Sequence, residues 1–319
     1  MTHLTTIFDK INAQHKSAYV IAELGSNYKT DKDLKLAVHH AKSVGADAIK
    51  FQFFDRSELF GPKIKFITNN WLPECSRIAK DIGIDLICST FSPEGMLRVN
   101  EYVGAHKIAS AEMSHIRLLE TAKLLGKTLI LSTGGHGLDD VRRVLSFLNG
   151  YPTIVLHCNI VYPTRYVDFQ KFNALKRLHY GPVGYSDHTT NIDVVPMAMV
   201  TQGAKCYEKH WNPFGYQDTP DAPVSLSNEE FKTMVSCIRG TPHQYTEENY
   251  ARTNIVRRLL ALRDIKAGEI FSEGNNIGIY RPQHHDTNGQ SPMDIGTFLG
   301  RKAKRDIAYG AGISFNDVT

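Results

Sequence analysis

Short apolar runs recur along the first three quarters of the chain, and stretches with a helical period separate them. Eight runs of strand length are predicted to form β-strands: Tyr19–Leu24, Ala46–Phe51, Asp85–Ser89, His106–Ile108, Thr128–Ser132, Thr153–His157, Pro182–Tyr185 and Cys206–Glu208. The clearest helix-period stretches are Asp31–Val44, Pro93–Tyr102, Leu138–Leu148, Phe169–Leu178 and Asn228–Arg239. Eight strands alternating with helices over residues 1–240 predict an α/β fold, a (β/α)8 TIM barrel. An open, doubly wound sheet is the rival, but no Gly-x-Gly-x-x-Gly turn follows the first strand.

The pattern changes after Gly240. Residues 241–254 are mostly polar and are predicted to form a linker. Residues 255–319 contain short strands and turns, including Leu259–Arg263, Ile277–Tyr280 and Tyr309–Ile313. A module of this size buries little core by itself. We therefore expect a small β-rich domain that docks on a barrel, either its own or that of a partner.

Composition narrows the class of protein. Hydrophobic residues make up 42% of the chain, but no run approaches the roughly 20 apolar residues of a membrane span. Residues 1–16 are polar, unlike a secretory signal, and the five cysteines have no paired spacing, which is typical of reduced thiols. The formal net charge of +4 comes without a basic run, which suits a small anionic substrate better than nucleic acid. A cytoplasmic protein without nucleic-acid or membrane partners is the expectation.

Two histidines end neighbouring predicted strands. His188 lies in the segment Gly184–Thr189, His210 ends the segment Tyr207–His210, and a helix-period stretch, Ile192–Gln202, separates them. In a parallel α/β fold both would lie at the carboxyl edge of the sheet, where active sites form. Two imidazoles at such a spacing can hold a divalent metal or a substrate. The spacing alone favours that hypothesis no more than two histidines hydrogen-bonded in loops.

Other polar side chains also follow the predicted strands. Lys50 and Lys107 fall at strand ends, where burial would be costly unless each lysine meets an anion. A single lysine of this kind is more often exposed or ion-paired, but two in succession predict a site for phosphate and carboxylate groups. Glu23 and Glu112 fall at the same edge of the sheet. Three roles are open to them, namely acid–base group, metal partner and counter-ion to the lysines, and the sequence does not separate these roles.

These segments together resemble the sialic acid synthase family, the phosphoenolpyruvate-condensing synthases of nonulosonic acids. The barrel motifs that carry the resemblance are Ile21–Asn27, Ala46–Gln52, Ser89–Ser92, Lys107–Glu112, Leu131–Gly134, Leu156–Cys158, Tyr162–Thr164, Gly184–Thr189, Glu208–His210 and Thr219–Asp221. The tail motifs Asp264–Glu269, Tyr280–Pro282, Ser291–Asp294 and Leu299–Asp306 resemble the antifreeze-like (SAF) domain of these synthases. The resemblance covers nearly the whole chain in order.

The resemblance implies a role for each matched residue. His188 and His210 would ligate Mn²⁺, with Mg²⁺ or Co²⁺ as alternatives. Phosphoenolpyruvate would be bound by Lys50, Thr90, Lys107, Ser110, Ser132 and Ser186. An amino sugar would be bound by Gln52, Tyr162 and Asp221. The acidic groups of the site would be Glu23, Glu112 and Glu208, with Glu112 as the base. Arg281 would reach from the C-terminal domain into the partner's barrel in a domain-swapped homodimer.

The departures from the family pattern lie on the sugar side. Tyr28 follows Asn27 where the family has His, Ile160 stands where many members have a polar residue, and Trp211 is followed by Asn212 and Pro213. The segment 53–88 is also shorter than in typical members. We therefore expect the condensation of phosphoenolpyruvate with an N-acylated amino sugar of unusual identity. The alternatives are a synthase that takes a phosphorylated sugar and a catalytically silent sugar- or metal-binding relative.

Overall fold

The computed structural model describes residues 5–14, 17–54, 71–240, 257–282 and 289–319. The chain divides into two compact units, Met1–His243 and Gln244–Thr319. The predicted linker at 241–254 and much of the short segment between Gln52 and Ser89 lie outside the described residues. Within the described ranges, no helix is long and apolar enough to cross a membrane.

The first unit is a closed barrel of eight parallel strands, so the predicted TIM-barrel fold is confirmed. The strands are β1 (Tyr19–Glu23), β2 (Ala48–Phe53), β3 (Asp85–Thr90), β4 (Ala105–Ile108), β5 (Thr128–Ser132), β6 (Thr153–Cys158), β7 (Val183–Asp187) and β8 (Cys206–His210). Each pairs with its neighbour in the sequence, and β1 pairs with β8 to close the barrel, with Glu23 opposite His210. This register brings the first and last strand ends together.

Nine helices of this unit are described. They are α1 (Ile7–Asn12), α2 (Asp31–Ser43), α3 (Leu72–Ile82), α4 (Pro93–Val99), α5 (Ile116–Leu125), α6 (Leu138–Phe147), α7 (Phe169–Leu178), α8 (Val194–Thr201) and α9 (Asn228–Gly240). Side-chain caps fix several starts: Thr30 and Asp33 form a reciprocal capping box on α2, and Ser92 caps α4 ahead of a proline in its first turn. These caps also end the preceding loops, which lie at the carboxyl edge of the barrel.

Side chains alternate along each strand between two buried layers. On β1, Tyr19 and Ile21 belong to a cluster that fills the barrel, whereas Val20 and Ala22 belong to the larger cluster beneath the helices. Continuing the alternation places Glu23 on the inner side, where it is fully buried. The inner layer is therefore apolar at the amino ends of the strands and polar at their carboxyl ends.

The second unit has its own small core. Strands β9 (Arg258–Ala261) and β10 (Ile277–Tyr280) form an antiparallel pair, and a short helix, α10 (Ile295–Phe298), follows. The buried residues of this unit include Leu259, Phe271, Ile277, Phe298 and Ile313. The predicted β-rich module is thus built from two short strands and several isolated bridges.

Candidate active site

A cavity of about 220 Å³ lies at the carboxyl ends of the barrel strands. Ten of the residues predicted from the sequence line it: Lys50, Gln52, Lys107, Ser110, Ser132, Tyr162, Ser186, His188, Glu208 and His210. They come from β2 and from β4 to β8, or from the loops directly after them. Distant segments therefore contribute to one pocket, as the strand-end pattern predicts.

Two buried lysines and Glu208 form the charged wall of this cavity, and a second buried glutamate, Glu23, pairs with Lys50 without lining the cavity itself. Lys50 Nζ lies 2.7 Å from Glu23 Oε2 and 3.4 Å from Glu208 Oε1. Lys107 Nζ lies 2.9 Å from the same Glu208 oxygen, which also accepts a hydrogen bond of 3.0 Å from the Ser186 hydroxyl. The anions that the buried lysines require are thus supplied in part by the protein itself.

This network shifts the pKa values of its members in opposite directions. Burial raises the pKa of Glu23 to about 7, although the positive charge of Lys50 opposes the shift. The pKa of Glu208 is lowered, because Lys107 and Lys50 together outweigh the effect of its burial. Burial also lowers the pKa of Lys107, against the attraction of Glu208. Glu208 is therefore a permanent anion of the site, and Glu23 is the carboxyl that can change protonation near neutral pH.

The hydrogen bonds of His188 determine which ring nitrogen carries its proton. Its Nδ1 lies 2.5 Å from the Asn159 carbonyl oxygen, and because a carbonyl only accepts, Nδ1 must donate. Nε2 of the neutral ring then accepts from the Tyr162 hydroxyl at 2.8 Å, and the two rings stack with centroids 4.0 Å apart. The nitrogen with the lone pair therefore faces Tyr162.

His210 lies next to His188, with ring centroids 5.5 Å apart. Its Nδ1 is buried, finds no hydrogen-bond partner among the described residues, and lies 3.8 Å from Asp221 Oδ1. The other oxygen of Asp221 accepts hydrogen bonds from the amide and the hydroxyl of Ser26, at 2.7 and 2.8 Å. The loop after β1 thus holds a carboxylate close to the imidazole at the end of β8.

The two imidazoles have the chemistry of metal ligands. Burial lowers the pKa of His210 to about 3, against the attraction of Asp221, and burial also lowers the pKa of His188. Both rings are therefore neutral at physiological pH, which is the form that binds a metal. Across the described ranges, no group of three or more His, Cys, Asp or Glu side chains is arranged for metal binding. Two histidines with water or substrate oxygens would make up the ligand set.

Asp187 precedes His188 in the sequence but does not line the cavity. It lies on the outer side of β7, where its Oδ2 is 2.9 Å from Lys209 Nζ and accepts a hydrogen bond from the Tyr207 hydroxyl at 2.7 Å. Its Oδ1 accepts from the backbone N–H of Thr189. Asp187 thereby stabilises the loop that carries His188, but it does so from the outer side of β7.

Glu23, which pairs with Lys50, does not line the cavity, and neither do the four remaining predicted residues. Thr90 ends β3 and is fully buried, and Glu112 is half-buried at the end of a short 3-10 helix, Ser110–Glu112. Asp221 is held by Ser26. Arg281 is exposed just after β10, in the second unit. The roles predicted for these four residues stay predictions.

Besides two alanines, Ala109 and Ala111, four further residues of the cavity wall were not predicted to have a role. Ser89 accepts a hydrogen bond of 3.2 Å from Lys50 Nζ, and Cys158 Sγ lies 3.0 Å from the Ser110 hydroxyl. Phe91 and Ile160 are the apolar members of the set. Strand alternation from Lys107, which pairs with Ser89, and from Ser186, which pairs with Cys158, is the signal in the sequence that could have identified the first two.

Comparisons with known proteins identify the family of the chain. The family model described as NeuB family matches residues 63–250, and that of the SAF domain matches residues 256–319. An uncharacterized protein of Methanocaldococcus jannaschii is 33% identical, over 94% of this chain and 94% of its own length. The N,N'-diacetyllegionaminic acid synthase of Campylobacter jejuni is 31% identical, over 91% of this chain and 97% of its own.

A solved structure extends the likeness to three dimensions. The spore coat polysaccharide biosynthesis protein SpsE of Bacillus subtilis superimposes with a TM-score of 0.65, at 25% identity, over 95% of both chains. The NeuB match alone covers more than half of the chain. This chain therefore belongs to the NeuB family of nonulosonic acid synthases and ends in a SAF domain.

Proposed function

We propose that the barrel pocket condenses phosphoenolpyruvate with the aldehyde of an open-chain, N-acylated amino sugar, giving a nonulosonic acid and inorganic phosphate. The observation that carries this proposal is the meeting of two buried lysines and two neutral histidines on one cavity of about 220 Å³. Membership in the NeuB family supports the reaction class, and the Campylobacter relative is named as a synthase of one such acid.

In this proposal the anionic groups of phosphoenolpyruvate lie against Lys50 and Lys107. Hydroxyl groups of the same wall add donors, and the Ser132 hydroxyl is buried with no hydrogen-bond partner within the described part of the chain. Charge-assisted hydrogen bonds of this kind fix both position and orientation. Holding the enol carbon C3 close to the acceptor aldehyde makes a bimolecular step effectively unimolecular.

We propose that His188 and His210 hold a divalent ion, with Mn²⁺ preferred. When bound, such an ion supplies Lewis-acid polarisation of the acceptor aldehyde. Binding at His188 Nε2 would replace the hydrogen bond that Tyr162 now donates there. The Tyr162 hydroxyl would then be available to a sugar oxygen, in agreement with the sugar-facing role predicted for it.

The proposed reaction balances as follows. C3 of phosphoenolpyruvate attacks the aldehyde carbon, a C–C bond forms, and the aldehyde oxygen takes up a proton. C2 is left with oxocarbenium character, water adds there, and a carboxylate accepts the proton of that water. The bond between C2 and the phosphate oxygen then breaks while the C2 hydroxyl passes its proton to the departing phosphate, which leaves a keto group and inorganic phosphate. Glu23 and Glu208 are engaged by lysines, so we assign the water's proton to Glu112.

We further propose that the enzyme acts as a homodimer in which Arg281 completes the site of the partner barrel. This proposal follows the family resemblance of the tail. Under this proposal the small second unit takes part in the reaction through its exposed Arg281.

The proposal is tested by incubating purified, Mn²⁺-loaded protein with phosphoenolpyruvate and a panel of N-acylated hexosamines. We expect phosphate release together with a product of the condensed mass by mass spectrometry. His188→Ala should abolish metal-dependent turnover, whereas His39→Ala, a change at an exposed position of α2, should not. Folded, metal-loaded protein that releases no phosphate with any acceptor would overturn the proposal.

A further inference from the structure

The loop after β1 and the loop after β8 are joined at the aspartate that faces His210. Ser26 makes three of the contacts. Its amide and its hydroxyl both donate to Asp221 Oδ2, at 2.7 and 2.8 Å, and its hydroxyl oxygen accepts the backbone N–H of Asp221 at 3.1 Å. One serine therefore fixes both the carboxylate and the main chain of Asp221.

Gly25 allows the loop after β1 to approach Asp221 this closely. Its φ is +54°, a left-handed conformation that glycine adopts without strain. A Cβ atom at this position would come within 2.4 Å of Asp221 Oδ2 and 3.1 Å of His210 Nδ1. The backbone of the loop therefore lies directly against both side chains, and any side chain at position 25 would push the carboxylate away.

Asn27 fixes the chain on either side of Asp221. Its amide nitrogen donates to Ser225 Oγ at 2.7 Å, and its amide oxygen accepts from the Thr219 hydroxyl at 2.5 Å. Asn27 is fully buried, so these hydrogen bonds lie in a low local dielectric. The segment that carries Asp221 is thus anchored at two further points, and Ser26 acts at the carboxylate itself.

This arrangement leaves one oxygen of Asp221 turned toward His210. Within the described ranges, Oδ2 accepts both side-chain hydrogen bonds and Oδ1 accepts none. Oδ1 lies 3.8 Å from His210 Nδ1, a nitrogen that is buried and finds no hydrogen-bond partner among the same residues. The terminal torsion of an aspartate has a broad range, so without Ser26 the carboxylate has no fixed orientation.

Histidines that bind metals are usually oriented through their other ring nitrogen, which donates to a carboxylate or a carbonyl. His188 has such a partner in the Asn159 carbonyl. Asp221 is the corresponding group for His210, although at 3.8 Å the contact is longer than a hydrogen bond. Asp221 can serve His210 in this way only while its carboxylate keeps its orientation.

We propose that Ser26 is a positioning residue of the metal site, because it holds Asp221 with Oδ1 toward His210 and so keeps the imidazole oriented. The inference rests on the metal site of the proposed function, which it deepens. Ser26 does not line the cavity, so it acts through Asp221.

The test measures Mn²⁺ affinity by electron paramagnetic resonance, with no substrate present. Ser26→Ala should weaken binding by about 10- to 100-fold, the usual effect of losing a group that orients a metal ligand, whereas Ser26→Thr keeps the hydroxyl and should bind nearly as well as the unmodified protein. Asp221→Ala should weaken binding as much, and Ser26→Ala should have no further effect in that background. The matched control is Lys29→Met, which removes an exposed ion pair with Asp218 between the same two loops and should leave the affinity unchanged.

A serine that only stabilised its loop would give another pattern. Unchanged affinity in Ser26→Ala, or losses that add in the double variant, would overturn the inference and leave the metal site standing. A folded protein that binds no Mn²⁺ would overturn the metal site, and this inference with it. The expected affinities in a protein that turns over no acceptor would support the inference and overturn the condensation.

Discussion

Replacing Glu208 by glutamine tests the charge network most directly. Glu208 Oε1 is within 3.4 Å of two buried lysine ammonium groups and accepts a hydrogen bond from Ser186. Glutamine keeps the size of the side chain and removes its charge. Lys50 retains Glu23, at 2.7 Å, but Lys107 loses the carboxylate that it contacts. The buried ammonium of Lys107 is then poorly compensated in the folded protein.

The size of the effect follows from the pKa of Lys107. Burial already lowers this pKa, and the Glu208 carboxylate opposes that shift. Without Glu208 the side chain can avoid a buried charge by giving up its proton. Relative to an ordinary lysine pKa of 10.5, this costs about 5 kcal/mol at pH 7, at about 1.4 kcal/mol per pH unit. Removal of one partner from a buried ion pair costs about 3–5 kcal/mol in general, so we expect a loss in that range.

The assay is chemical denaturation followed by tryptophan fluorescence at pH 7. The chain has two tryptophans, and both, Trp71 and Trp211, are fully buried in the barrel unit, so the signal reports on the barrel alone. The matched control is Glu229→Gln, which breaks an exposed pair with Lys232 of the same 2.9 Å length and should cost less than about 1 kcal/mol. Equal losses in the two variants would refute the argument that Glu208 compensates the buried lysines.

Two further predictions concern the same site. Because the pKa of Glu23 is raised to about 7, its stabilising contribution is present below the unfolded pKa of about 4.5 and is lost as the pH rises through 7. Glu23→Gln should therefore flatten the decline of barrel stability between pH 5 and 7.5, and an unchanged slope would contradict this. If Arg281 acts in the partner's site, a mixture of the inactive variants His188→Ala and Arg281→Ala should recover about a quarter of the activity by forming mixed dimers. No recovery after subunit exchange would exclude a shared site.

The sequence predicts the barrel well because strand and helix periods alternate so regularly, but it places the ends of the second, seventh and eighth strands two residues too early. The predicted seventh and eighth strands end at Tyr185 and Glu208, whereas β7 continues to Asp187 and β8 to His210. The apolar runs stop at Tyr185 and Glu208 because polar residues follow them in the sequence. In the structure Asp187 and Lys209 are fully buried and neutralise each other across the two strands. A pattern of apolar residues cannot recognise a buried ion pair whose partners are far apart in the sequence.

Strand alternation explains which candidates reach the cavity. Ser186, His188, Glu208 and His210 occupy alternate positions on β7 and β8 or directly after them and line the pocket, whereas Asp187 lies between them and faces the helices. The same alternation puts Ser89 on the cavity wall. Adjacency to a site residue in the sequence was therefore a weaker guide than the alternation of side chains along the strand. The role proposed for Arg281 cannot be judged in this way, because the proposal places it in the barrel of a second subunit.

The buried lysines need anions, as predicted, and Glu23, which the sequence offered as a possible counter-ion, is one of the two carboxylates that supply them. Glu23 and Glu208 already balance Lys50 and Lys107, so a phosphate entering this pocket competes with carboxylates of the protein. The competition is eased at Glu23, because a carboxyl with a pKa of about 7 can take up a proton when another anion approaches. Glu208 cannot do so, since the lysines keep its pKa low. Two glutamates in one network thus serve different ends, one as a fixed counter-ion that holds both lysines and the other as a charge that can be neutralised when the substrate binds.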